Sequence, residues 1–169
     1  MRIISGNHKG RKLIAPKNLP VRPTTDRAKE SLFNILQNRY NISKVKVLDL
    51  FSGTGNISYE FASRNANKIT AVDKNIKCTN FINKMSLELD FNIKTITSDC
   101  FNYVLNTSDK FDIIFLDPPY NYNKYHEIKD LILEKKIIEN NGCLIIEHDK
   151  RTIFDDKNIE KRKYGSVFF

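Results

Sequence analysis

The sequence predicts an α/β fold, a mostly parallel central sheet flanked by helices, with a basic N-terminal hairpin and arm in front of it. Two observations carry this. Short apolar runs rich in Val, Ile and Phe recur along the chain, and longer stretches with apolar residues at three- and four-residue steps lie between them. Strands separated by helices of that length build parallel sheets covered on both faces. At 169 residues the chain is sized for one domain with one core. It divides into a basic arm, residues 1–24, and a core, residues 25–169, that carries the ligand site.

Gly6, Gly10, Pro16 and Pro20 punctuate the opening, which reads as a short hairpin followed by an extended arm. Thr25 or Asp26 caps a helix over residues 27–40 whose apolar side is Leu32, Phe33, Ile35 and Leu36. Strands follow at 44–50, 68–73, 92–99, 111–117 and 142–149, and helices at 56–65, 75–89, 101–106 and 124–139. In the helix over 75–89, Ile76, Phe81, Ile82, Met85 and Leu89 form the buried side, while Lys74, Lys77 and Lys84 face water.

Composition narrows the function. The net charge is +8, which favours a polyanionic partner. Residues 1–30 hold eight lysines and arginines (Arg2, Lys9, Arg11, Lys12, Lys17, Arg22, Arg27, Lys29) against Asp26 and Glu30, so +6 of that charge sits at one end. The apolar runs at 113–116 and 143–146 fall far short of the roughly 20 residues that span a bilayer. Polar residues 5–10 interrupt any signal peptide, so a cytoplasmic protein is expected. Cys78, Cys100 and Cys143, like His8, His126 and His148, are scattered without metal-ligand spacing; free thiols and no metal are expected.

Ligands of such sheets bind beyond the carboxyl ends of the strands. The first strand closes as Asp49-Leu50-Phe51-Ser52-Gly53-Thr54-Gly55. Its glycines suit either a tight turn or the close approach of a cofactor to the next helix N-terminus, and Asp49 suits a ligand ammonium. The second closes at Asp73, twenty residues after Gly53, either to hold a ribose hydroxyl pair or to cap the next helix. The third closes at Asp99-Cys100-Phe101. There an acid and the following backbone N–H read an adenine edge with Phe101 over the ring, or Asp99 is an N-cap.

The fourth closes at Asp117-Pro118-Pro119-Tyr120, the most specific signal in the chain. Consecutive prolines donate no N–H and fix their own φ, so the carbonyls form a rigid array. Either the prolines merely end a buried strand, or the Asp117 carboxylate and Pro118 carbonyl accept both protons of an exocyclic base amine, with Tyr120 stacked on a flipped base.

These residues in this order resemble the Rossmann-like S-adenosylmethionine (AdoMet) methyltransferases, and more narrowly the bacterial small-subunit (16S) ribosomal RNA guanine-N2 methyltransferase family. The opening MRIISGNHKGRKL, the run Arg22-Pro23-Thr24-Thr25-Asp26-Arg27 with Glu30, Leu32 and Phe33, the turn from Asp49 to Gly55, and Asp117 to Tyr120 carry the resemblance. The run from Arg22 to Arg27 discriminates, because glycine turns and Asp-Pro-Pro-Tyr also occur in DNA adenine methylases.

The resemblance implies that Asp49, Phe51, Gly53 and Gly55 surround the methionine part of AdoMet, Asp73 its ribose, and Asp99, Cys100 and Phe101 its adenine, with Thr24 and Thr25 close by. Asp117, Pro118, Pro119 and Tyr120 hold the guanine. Arg2, Lys9, Arg11, Lys12, Arg22 and Arg27 grip RNA phosphates. The expected partner is small-subunit ribosomal RNA or the assembling small subunit, met by a monomer. Two other readings are N6-adenine methylation of DNA or RNA, and a non-catalytic nucleic-acid binder of the same fold. The closing residues 164–169 resemble the start of the family's last strand, so a short final sheet edge is expected.

Overall fold

Side-chain oxygens start the helices where the sequence supplies them. In the computed structural model, which describes residues 1–16, 19, 25–119, 122–148, 150–154, 159–164 and 167–169, Thr25 caps α1 (Asp26–Arg39) by accepting from the Ala28 N–H at 3.3 Å. Asn75 caps α3 (Ile76–Glu88) and Asp99 caps α4 (Cys100–Asn106) in the same way. α2 (Asn56–Ser63) follows Gly55 and has no such cap of its own. α5 spans Tyr125–Glu134.

The strands β1 (Lys46–Leu50), β2 (Lys68–Asp73), β3 (Ile93–Thr97), β4 (Phe111–Leu116) and β5 (Ile138–Ile146) form one parallel sheet in the order β3-β2-β1-β4-β5. Because β1 and β4 are central they are buried on both faces and alternate between two cores. Val47, Ile113 and Phe115 pack with Leu32 and Phe33 of α1, Ile57 and Phe61 of α2, and Ile82 and Met85 of α3. Leu48, Leu50, Ile114 and Leu116 pack with Cys100 and Val104 of α4 and Ile128 and Ile132 of α5. The chain order reverses between β1 and β4, which opens a crevice at their carboxyl ends. Among the described residues no helix is long and apolar enough to cross a membrane.

Three expectations need correction. The helix over 124–139 is too long and the strand at 142–149 starts too late, because Lys136 at φ 53° ends the helix and Ile138 already pairs with Phe111. The polar run 139–142 is taken up by a bulge, since Phe111 faces Ile138 but Ile113 faces Cys143. Ile76, expected inside, is 60% exposed at the first turn of α3. The closing residues form an antiparallel pair, β6 (Lys163–Tyr164) with β7 (Val167–Phe168), outside the main sheet. Phe168 meets His148 just beyond β5 in an isolated bridge.

The N-terminal residues fold back as a hairpin, with Arg2 bridged to Lys12 and both Ile3 and Leu13 buried in the core. Its anchor is Glu60 of α2, fully buried, which accepts from the Ile4 and Ser5 amides and from the Arg64 guanidinium. Lys29 of α1 lies 3.5 Å from Glu60 and donates to the Arg2 carbonyl and to Asn56 at the start of α2. Burial pulls the Lys29 pKa down, and the Glu60 charge opposes this. One buried cluster thus joins hairpin, α1 and α2. The remainder of the expected arm, residues 17, 18 and 20–24 with Arg22 and Thr24, lies outside the described residues.

Candidate active site at the carboxyl edge of the sheet

The turn after β1 is wound through the left-handed region at three positions: Phe51 (φ 57°), Gly53 (51°) and Gly55 (81°). Glycine carries such angles without cost, but phenylalanine does not. At Gly55 space is also decisive, since an added Cβ would lie 2.9 Å from Ile82 Cγ1 and 3.0 Å from Tyr59 Cζ. Phe51 is braced by an edge-on contact with Tyr122 at 5.0 Å. Among the described residues the Ser52 and Tyr122 hydroxyls are buried without a hydrogen-bond partner. Both adjoin Phe51, Ser52 as the next residue in the chain and Tyr122 through its ring contact.

The acids at the strand ends are brought to this turn. Asp73 accepts from the Gly53 amide and the Asn75 amide, both at 2.8 Å, one on each carboxylate oxygen. Asn75, not Asp73, caps the next helix, and each Asp73 oxygen keeps a second lone pair for a ligand hydroxyl. The Ser98 amide donates to the Asp73 carbonyl and so ties the ends of β2 and β3 together. Asp99 is exposed and caps α4 through one oxygen. Cys100 is buried beneath the turn; burial pushes its thiol up to about 12, against a backbone hydrogen bond from Phe51. Phe101 lies alongside, with the Lys124 ammonium 5.7 Å from its ring.

Asp49 sits lower. It is 2% exposed and accepts both the Ser58 N–H (3.1 Å) and hydroxyl (2.6 Å), so it supplies the anion that α2 otherwise lacks at its N-terminus. Burial pushes its carboxyl up to about 7, helped by the Asp73 charge and opposed by Ser58.

Across the crevice, Asp117 follows β4 and its amide reaches the Leu50 carbonyl at 3.4 Å. Burial, then the Glu147 carboxylate, then Asp49 raise its pKa well above the ordinary carboxylate value. Pro118 is buried, and among the described residues its carbonyl has only a long 3.5 Å contact from the Tyr125 hydroxyl, which leaves lone-pair capacity. Pro119 is exposed and accepts from the Tyr122 amide. Tyr120 lies outside the described residues. Thr25 accepts the Ala28 N–H in its cap and keeps its hydroxyl proton to donate.

Arg2, Lys9, Arg11, Lys12 and Arg27 are all exposed, and Arg2 pairs with Asp26 at 3.0 Å. Residues that the sequence reading passed over include Glu147, Tyr122, Asn56 and the Glu60–Lys29 pair. An acid closing an apolar strand run had already picked out Asp49, Asp73, Asp99 and Asp117, and the same signal marks Glu147.

A carboxylate-rich crevice in a chain of net charge +8 is suited to a small cation. A family model described as Conserved hypothetical protein 95 matches residues 1–169. Ribosomal RNA small subunit methyltransferase D of Buchnera aphidicola (subsp. Acyrthosiphon pisum) is 38% identical over 152 residues, 88% of this chain and 78% of the relative. The chain belongs to the ribosomal RNA small subunit methyltransferase D family. Its members are AdoMet-dependent methyltransferases.

YlbH of Bacillus subtilis is 35% identical over 98% of this chain and 94% of its own length. TTHA0928 of Thermus thermophilus superposes with a TM-score of 0.88 over 99% of this chain and 96% of that one, at 22% identity, and shows the shared fold. The sheet and helices are those of the Rossmann-like methyltransferases.

AdoMet carries a sulfonium and an ammonium, and the residues present suit it: acids at three adjacent strand ends, a glycine turn without room for a Cβ, and free hydroxyls beside it. A pH dependence follows for this methyltransferase D family member. Asp49 ionises at 3.8 unfolded and at about 7 folded, so the native state holds the proton more tightly. Its contribution to stability is complete below about pH 4 and is lost as pH rises through about 7. Asp49→Asn keeps an acceptor for Ser58 and removes the titration. Urea unfolding without cofactor should show the variant gaining on the wild type between pH 4 and 8, by roughly 4 kcal/mol at most. AdoMet affinity should rise across the same range in the wild type and stay flat in the variant. Parallel stability curves for the two proteins would contradict the assignment.

Proposed function

We propose that this protein methylates the exocyclic N2 of a guanine in small-subunit (16S) ribosomal RNA, acting as a cytoplasmic monomer. The observation that carries the reading is the Asp117-Pro118 corner across the crevice from the glycine turn, within a chain that matches relatives named small subunit methyltransferases.

In this reading Asp49, Phe51, Gly53 and Gly55 surround the methionine part of AdoMet, Asp73 takes the ribose hydroxyls, and Asp99, Cys100 and Phe101 face the adenine, with Thr24 and Thr25 nearby. When bound, AdoMet supplies an electrophilic methyl group and keeps the electron pair of the broken C–S bond. The protein's own task is positional. A base amine is a poor nucleophile because its lone pair is delocalised into the ring. Asp117 and the Pro118 carbonyl accept its two protons and aim the lone pair across the crevice, while Pro119 fixes the corner and Tyr120 stacks on the base. As the N–C bond forms, the amine becomes acidic, and its surplus proton leaves through Asp117 to water. Asp117 need not be a strong base beforehand.

The exposed cations Arg2, Lys9, Arg11, Lys12 and Arg27, together with Arg22, hold RNA phosphates and place the base without specifying it. Replacing Lys9, Arg11 and Lys12 together by alanine is expected to flatten the slope of log affinity against log salt by about 2 to 3, with kcat at saturating RNA retained. An unchanged slope would exclude the hairpin as the anchor. The acceptor class is tested by offering labelled AdoMet with small-subunit RNA, large-subunit RNA or a DNA duplex. Label entering only the small-subunit RNA is expected; label entering DNA would move the reading to an adenine methylase.

A further inference from the structure

Three acids lie on one face of the sheet near the carboxyl ends of three adjacent strands: Asp49 within β1, Asp117 after β4 and Glu147 after β5. The register fixes the last two as neighbours. Leu116 pairs with Ile146, and the Glu147 amide donates to the Leu116 carbonyl at 2.8 Å, so Glu147 stands beside Asp117 one step beyond the ladder. Neighbouring strands are about 4.8 Å apart and paired residues point to the same face. Leu116 and Ile146 face the α4–α5 core, whereas Phe115 and Ile145 face the α1–α3 core. By alternation, Asp117 and Glu147 share the second of these faces with Asp49. Glu147 is 7% exposed, and its charge bears directly on Asp117.

Base edges differ in what they offer such a pair. Guanine presents N1–H beside its N2 amine, donor next to donor. Adenine and cytosine present a ring-nitrogen lone pair beside the amine, donor next to acceptor. Two adjacent ionised carboxylates match the first pattern, whereas the second sets a ring-nitrogen lone pair against an acceptor and is matched only when that carboxyl holds a proton.

We infer that Glu147 is a base-recognition residue whose carboxylate accepts the N1–H of the guanine held at N2 by Asp117 and Pro118. The inference rests on the guanine-N2 reading above. Glu147 then sets which base is methylated, while Asp117 presents the amine.

The test uses a small-subunit RNA fragment methylated by the wild-type protein, synthesised with either guanine or 2-aminopurine at the modified position. 2-Aminopurine keeps the amine but has a lone pair at N1. At mildly alkaline pH, where the pair is ionised, the wild type should prefer guanine by about 10²-fold in kcat/KM. Glu147→Gln, which keeps the side-chain shape and offers N1 a donor, should bring the two substrates within about tenfold while AdoMet affinity is retained. Equal use of both bases by the wild type would overturn the inference, as would an undiminished preference in the variant. Failure of the wild type to methylate guanine at all is a separate result, and it would strike the guanine-N2 reading itself.

Discussion

Asp117→Ala is expected to lower kcat by about 10² to 10³, the range measured when one hydrogen-bond partner aimed at the reacting group is removed. AdoMet affinity should stay within a few-fold. The two effects separate because Asp117 follows β4, whereas the acids and glycines assigned to the cofactor stand at the ends of β1, β2 and β3 and in the turns beyond them. Folding gives a control. Burial and the charges of Glu147 and Asp49 all penalise ionised Asp117, so removing it relieves repulsion, and the variant should melt no lower than the wild type near neutral pH. Isothermal titration with AdoMet, a melting curve and single-turnover methyl transfer on one preparation check all three. Comparable losses of AdoMet affinity and turnover would make Asp117 a cofactor ligand instead.

The largest stability effect is expected at Glu60, far from the chemistry. Glu60→Ala removes the acceptor of two backbone amides in the hairpin and leaves Lys29 and Arg64 as buried cations without their counter-ion. Breaking one side of a buried ion cluster costs about 3 to 5 kcal/mol, a large share of the roughly 5 to 15 kcal/mol that holds a domain together. Urea unfolding measures the loss directly, and limited proteolysis should find the hairpin opened first. A shift of under about 1 kcal/mol would mean that the cluster is solvated and the hairpin held by Ile3 and Leu13 alone. Since the hairpin carries Lys9, Arg11 and Lys12, the variant should also bind RNA more weakly at temperatures where it remains folded.

Much of the fold was legible because its signals are local. Asn75 and Asp99 stand directly before apolar steps of three and four, and β1, β2 and β4 are short apolar runs that end in acids. The misread junction between α5 and β5 has a local cause as well. Ile137 stands four residues after Leu133 and Ile138 seven after Leu131, so the helical spacing runs on, and only the positive φ at Lys136 breaks it. The polar residues 139–142 mask the start of the strand because a bulge absorbs them.

The acids were found by the rule that strand ends carry function, but their division of labour was not. That Asp49 is bound to Ser58 under the turn, while Asp73 stays partly exposed, depends on how α2 packs. The Glu60 cluster was invisible for a stronger reason. It joins residues 55 and 56 positions apart, and no periodicity records such a contact.

The central claim is that the Asp117-Pro118 corner presents a guanine amine to the methyl group of AdoMet. Its most direct test is transfer of labelled methyl to small-subunit ribosomal RNA, free and within the assembling particle, followed by digestion to nucleosides and identification of the labelled one. The account predicts label in N2-methylguanine and nowhere else, and its absence from the product of Asp117→Ala. Label in N6-methyladenine, or none despite measurable AdoMet binding, would contradict it.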